Sequence, residues 1–140
     1  IDNFKKQSLR RSLFRYLKEQ EITCIVATHD KEDVLSYSDN MIVLHDSKIM
    51  VNDKPQNLYK IPKNKLIASF FDEFNEVKGD IVYANQLKIT DKSDLKAVVK
   101  HSYFKGHYYL IEAYLNGENV FFQHHTSLRE NQNIYLQIQL

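Results

Sequence analysis

Ile22-Thr23-Cys24-Ile25-Val26-Ala27-Thr28-His29-Asp30 decides how the first half of this chain is read. Residues 22–27 are apolar or β-branched without alternation. A run of that kind predicts a strand covered on both faces, as in a parallel α/β sheet. Ligands of such sheets bind beyond the carboxyl ends of the strands. His29 lies at that end, immediately before a new helix. Two readings of it stand side by side: it can contact a phosphate oxygen or orient an attacking water, or it can serve only the cap of the following helix.

Working outward, the 140 residues give room for one ordinary domain or two small ones, and 43% hydrophobic content allows a packed core. The formal charge of +1 gives no global argument for nucleic acid or an anionic membrane surface, so no nucleic-acid partner is expected. Cys24 is the only cysteine, which excludes an internal disulfide and a thiolate metal cluster and agrees with a reducing, cytosolic compartment. No apolar run approaches the roughly 20 residues of a membrane helix. A start on Ile1, directly in a helical approach, is what a piece of a longer protein would show.

Residues 3–20 carry a helical period, with Leu9, Leu13, Tyr16 and Leu17 on one stripe and Lys5, Lys6, Arg10, Arg11, Arg15 and Lys18 around it. Asp2 or Asn3 is the predicted N-cap. After the run at 22–27, Asp30 can cap a short helix over 31–37, with Asp33 three residues on in a loose capping box. Two apolar runs, 41–44 and 48–51, flank the polar turn His45-Asp46-Ser47 and predict a hairpin. Pro55 marks a further helix start, and another helix is predicted over 64–71.

The character changes near Asn75. Strands are predicted over 80–84, 87–90, 96–101, 108–115, 119–124 and 134–139, with Asn116-Gly117 as a tight hairpin turn. Five or six short strands in about 60 residues predict a small β-barrel or sandwich. The expected division is residues 1–75, an α/β part, followed by residues 76–140, a small all-β part.

Other site candidates read more plainly. Asp30, Glu32 and Asp33 crowd a helix start, where the macrodipole favours carboxylates, and capping is preferred to metal binding. His124 and His125 are strand neighbours pointing to opposite faces, ill placed to chelate one ion, and read as surface histidines. No metal ligand is assigned. His101 and His107 flank Tyr103-Phe104-Lys105-Gly106, and such aromatics interleaved with Lys can form an oligonucleotide or sugar platform. Residues 76–140 hold seven Lys and Arg against seven Asp and Glu, which favours core packing instead. Neither a Gly-rich phosphate loop nor a nucleophile elbow occurs in the chain.

Taken in order, these segments resemble a known family. Ala27-Thr28-His29-Asp30, the helix of 31–37, Ser38-Asp39-Asn40, the run 41–44 and the turn before Lys48-Ile49 look like the H-loop region of ABC-transporter ATPases. Asn57-Leu58-Tyr59-Lys60-Ile61-Pro62 is similar to the importers' I/L-Y-x-x-P segment, and Ala68-Ser69-Phe70-Phe71 with Phe74-Asn75 to V-A-x-F-I-G-x-x-N. Ser47 departs from the glycine usual in the hairpin turn, and Glu32-Asp33-Val34 from the usual Glu-Ala run.

The resemblance implies the end of a P-loop NTPase-type nucleotide-binding domain followed by an OB-like TOBE barrel. It implies that His29 is the catalytic switch histidine on the ATP γ-phosphate, and that Asp2 is the D-loop aspartate at a dimer interface. The longer parent would use ATP and Mg²⁺. It would pair with a second copy of the ATPase subunit and with transmembrane permease subunits, serve a solute-binding protein indirectly, and lie on the cytoplasmic face of the membrane. Walker A, the signature motif and Walker B are not in this sequence. The 140 residues alone are therefore expected to bind no nucleotide, to lack turnover and to self-associate. The alternative is a non-enzymatic module whose Tyr/Phe-rich barrel binds a small oxyanion, a sugar or nucleic acid.

Overall fold

A computed structural model describes residues 2–140, with side chains from residue 3 onward. The chain divides into two compact units, Ile1–Gln56 and Asn57–Leu140. These compact units meet inside a short helix that begins at Pro55.

The first unit opens with α1 (Asp2–Glu19). Asn3 is already inside this helix, and the side chain of Asp2 lies outside the described residues. Its packed face differs from the predicted stripe: Arg10, Phe14 and Leu17 are half-buried, while Leu9, Leu13 and Tyr16 are exposed. The partners opposite select that face. Phe14 stacks on Tyr37 with centroids 4.6 Å apart, and Arg10 one turn earlier meets two carboxylates. The helix ends without glycine. Glu21 takes φ 53°, and the amides of Ile22 and Glu21 donate to Leu17 and Lys18 carbonyls at 2.9 and 3.1 Å, the double bond pattern of a Schellman motif.

The buried strand expected at 22–27 is not formed. These residues carry no regular structure and pair with no strand among the described residues, and Ile25 is 94% exposed. A parallel strand is held by neighbours on both sides. Here the following strands pair only with each other. They are β1 (Met41–His45) and β2 (Lys48–Asp53), joined antiparallel after α2 (Lys31–Tyr37). Their two-residue turn places Asp46 and Ser47 at φ 50° and 60°, so this hairpin makes its tight turn without glycine.

The second unit begins in α3 (Pro55–Lys60) and continues through α4 (Lys65–Phe71), capped by Asn64 Oδ1, which accepts from Ile67 N at 3.0 Å. A short hairpin follows, β3 (Phe74–Val77) and β4 (Asp80–Tyr83). A 3-10 turn, Ala84–Gln86, leads into β5 (Leu87–Thr90), β6 (Leu95–Phe104), β7 (Tyr109–Leu115), β8 (Glu118–His124) and β9 (Asn133–Ile138). Asn116-Gly117 makes the β7–β8 turn with both φ positive, as predicted.

All pairings among β5 to β9 are antiparallel, in the order β5-β9-β6-β7-β8. The sheet curls until β5 and β8 approach each other, but no ladder joins them. The expected small β-barrel is thus an antiparallel sheet of five strands that does not close, which is compatible with an OB-like domain. A side chain occupies the outer edge of β8 where a strand would close it. Asn75 Nδ2 donates to the Phe121 carbonyl and Asn75 Oδ1 accepts from the Phe121 amide, both at 2.7 Å. The inward faces of the five strands, with Val77 and Val82, form one apolar core that includes Leu87, Val99, Ile111, Phe122 and Leu136.

Candidate functional site

His29 stands in the bend between the unpaired run and α2, with its side chain exposed. Both of its neighbours are tied down. Thr28 Oγ1 accepts from the Asp30 amide at 3.0 Å and donates to Asp33 Oδ2 at 2.9 Å. Asp30 caps α2 by accepting from Glu32 N at 2.9 Å, which agrees with the capping role expected of it. Asp33 does not close the predicted capping box, because its carboxylate is engaged by Thr28 and by α1.

That engagement comes from Arg10. Its Nη1 reaches Asp30 Oδ2 at 3.0 Å, and its Nε lies 3.3 Å from Asp33 Oδ1. The second contact is an ion pair without hydrogen-bond geometry, since Asp33 Oδ1 is buried with no hydrogen-bond partner of its own. Asp33 is only 8% exposed, so the guanidinium supplies the charge that makes its burial tolerable. The Glu32 amide foremost, and then Arg10, hold the Asp30 carboxyl below its ordinary range. Stability from this carboxylate is present above the ordinary value and is lost as pH falls through the lowered one.

One α1 residue thus holds the two carboxylates that follow His29, and Asp33 in turn accepts from Thr28 before it, while the His29 side chain is exposed. The helical period places Arg10 among the basic residues around the apolar stripe. Its role depends on a contact 20 residues away, which no local pattern announces. Asp2, the other site candidate, lies outside the described side chains.

The remaining candidates lie in the second unit. His124 and His125 have ring centroids 4.3 Å apart. Tyr103 donates to Glu112 Oε2 at 3.3 Å, and its ring lies 5.4 Å from that of His101. Tyr59, in the segment similar to I/L-Y-x-x-P, stacks on Tyr83 at 4.8 Å and meets Phe71 edge-on at 5.5 Å. Its hydroxyl accepts from Asn85 Nδ2 at 3.2 Å, so that segment is a packing element of this unit.

No protein-family model matches the chain. Among curated proteins, the spermidine/putrescine import ATP-binding protein of Clostridioides difficile is 34% identical over 82 residues, 59% of this chain and 24% of that protein. That of Trichormus variabilis is 32% identical over 101 residues, 71% of this chain and 26% of the relative. That of Mycoplasma genitalium is 27% identical over 111 residues, 79% and 20%. The chain is homologous to the ATP-binding subunits of ABC importers. It spans about a quarter of the length of the curated relatives it matches. No helix among the described residues is long and apolar enough to cross a membrane.

Proposed function

We propose that this chain forms the carboxyl-terminal part of the ATP-hydrolysing subunit of an ABC importer. In this reading residues 1–75 end the P-loop-type nucleotide-binding domain, and residues 76–140 are a TOBE-like regulatory domain. The relatives named for spermidine and putrescine import support a polyamine as the solute. The observation that carries the reading is the match to these import proteins over up to 79% of the chain, joined to an exposed histidine on a clamped loop. The alternative of a stand-alone binding module accounts for neither.

His29 would contact the γ-phosphate, with Arg10, Asp30, Asp33 and Thr28 holding its loop. ATP with Mg²⁺ supplies the phosphoryl chemistry when bound. This chain offers it a single contact, because no phosphate-cradling loop is in the sequence. Asp2 would lie at the interface with the second ATPase subunit. Permease subunits would hold the pair at the cytoplasmic face of the membrane, and a solute-binding protein would act through them. The unpaired run 22–27 would take its strand neighbours from the rest of the nucleotide-binding domain.

The test is His29→Ala in the longer protein. Turnover is expected to fall by a factor of at least roughly 100 with ATP affinity nearly unchanged, as when a group acts only on the transition state. Unaltered turnover would overturn the assignment. Calorimetric titration of residues 1–140 with ATP is expected to show no binding, and micromolar affinity would contradict the reading.

A further inference from the structure

The His29 side chain is exposed and makes no hydrogen bond among the described residues. With no contact of its own, the imidazole is placed by its backbone alone, and whatever holds residues 28–33 decides where it stands. Thr28 ties the two ends of that segment together: its Oγ1 accepts from the Asp30 amide at 3.0 Å and donates to Asp33 Oδ2 at 2.9 Å. Asp30 fastens it to α2, its Oδ1 accepting from Glu32 N at 2.9 Å. The two oxygens that remain, Asp30 Oδ2 and Asp33 Oδ1, lie 3.0 and 3.3 Å from Arg10 nitrogens of α1.

Charge gives these bonds their direction. A carboxylate only accepts, so Asp33 fixes the Thr28 hydroxyl as a donor toward it and leaves that oxygen's lone pair for the Asp30 amide. A carboxylate as buried as Asp33 needs a counter-charge, and Arg10 is the cation that meets it. The planar guanidinium also spans both carboxylates with two of its nitrogens, which a single ammonium does not do. Removing it therefore loosens the segment on both sides of His29 at once.

We propose that Arg10 is a positioning residue for ATP hydrolysis: through Asp33 and Thr28 before the histidine, and through Asp30 after it, the guanidinium sets the place of an imidazole that it does not touch. This rests on the reading of His29 as the γ-phosphate contact, and adds to it that a residue of α1 carries part of the rate. A misplacement of about 1 Å at a reacting group costs roughly 100-fold in rate. Loosening the loop thus reaches turnover without altering how ATP is held.

The experiment measures kcat and KM for ATP in the longer protein carrying Arg10→Gln, Arg10→Lys or His29→Ala, and each Arg10 change combined with His29→Ala. Arg10→Gln is expected to lower kcat roughly 10- to 100-fold and Arg10→Lys roughly tenfold, with KM for ATP changed by less than about twofold. In the His29→Ala background neither should lower kcat further, because no imidazole is left to misplace. Arg11→Gln, on the exposed side of α1 and outside the network, should leave turnover unchanged. If Arg10→Gln does not fold by circular dichroism, Arg10→Lys, which keeps a positive charge beside Asp33, decides alone. The inference is overturned if the folded Arg10 variants keep the parental kcat while His29→Ala loses it. It is equally overturned if their losses recur in full in the His29→Ala background, as a general loss of structure would give. Turnover that survives His29→Ala overturns the reading of His29, and this inference with it.

Discussion

Tyr83 shows how much one buried atom decides. Its ring is 1% exposed, stacked against Tyr59, and its hydroxyl is buried with no hydrogen-bond partner among the described residues. Burial, then Tyr59 and Asp72, push the phenol from its ordinary 10 up to about 12. Since the folded value exceeds the unfolded one, stability is undiminished below the unfolded value and declines as pH rises through that window. Replacing Tyr83 by Phe removes the unsatisfied group and is expected to stabilise the chain by about 1 kcal/mol at neutral pH. The advantage should grow at about pH 11, where the parent loses stability and the variant does not share that loss. Urea denaturation at both pH values checks this; a variant less stable than the parent at either one defeats the argument.

Among the elements, β8 depends on a side chain. Asn75, 5% exposed, answers both the amide and the carbonyl of Phe121, which leaves no open backbone at that point of the edge. Truncating it leaves two part-buried backbone groups of Phe121 unpaired, so Asn75→Ala is expected to cost roughly 2–4 kcal/mol. Asn75→Asp keeps an acceptor for the amide but sets a carboxylate against the carbonyl, and it should cost at least as much. Chemical denaturation measures both, and losses under about 0.5 kcal/mol would show that the pairing contributes little. Asn75 was visible in the sequence only as the last letter of the segment similar to V-A-x-F-I-G-x-x-N. Its physical task, substituting for a strand, appears once β3 and β8 are side by side. Arg10 makes the same point at α1: its spacing places it on a charged surface, and its partners place it in the site.

Taken as a whole, the first unit leaves Phe4, Leu9, Leu13, Ile25, Leu44 and Ile49 exposed. A soluble chain seldom carries that many uncovered large apolar side chains in so short a stretch. Residues 1–140 alone are therefore expected to self-associate, with an apparent mass that rises with concentration in small-angle scattering. Ile25→Lys, at a site 94% exposed, should reduce that rise without lowering helix content. A chain that stays monodisperse and monomeric over the concentration range would refute the expectation.

Local chemistry was legible in the sequence. Periodicity placed α1, the capping Asp30 placed α2, turn residues placed Asn116-Gly117 and the β1–β2 hairpin, and β-rich runs placed β5 to β9 within a few residues. The helices and the tight hairpin turns rest on interactions between residues close in the chain, and the strands show their own alternation even though β9 pairs with the distant β5 and β6. What depends on distant partners was decided by tertiary structure: that 22–27 stays unpaired, that Arg10 clamps the His29 loop, that Asn75 seals β8 and that the sheet stays open. An apolar run states that a segment is fit to be buried, but only a neighbouring strand or helix can bury it.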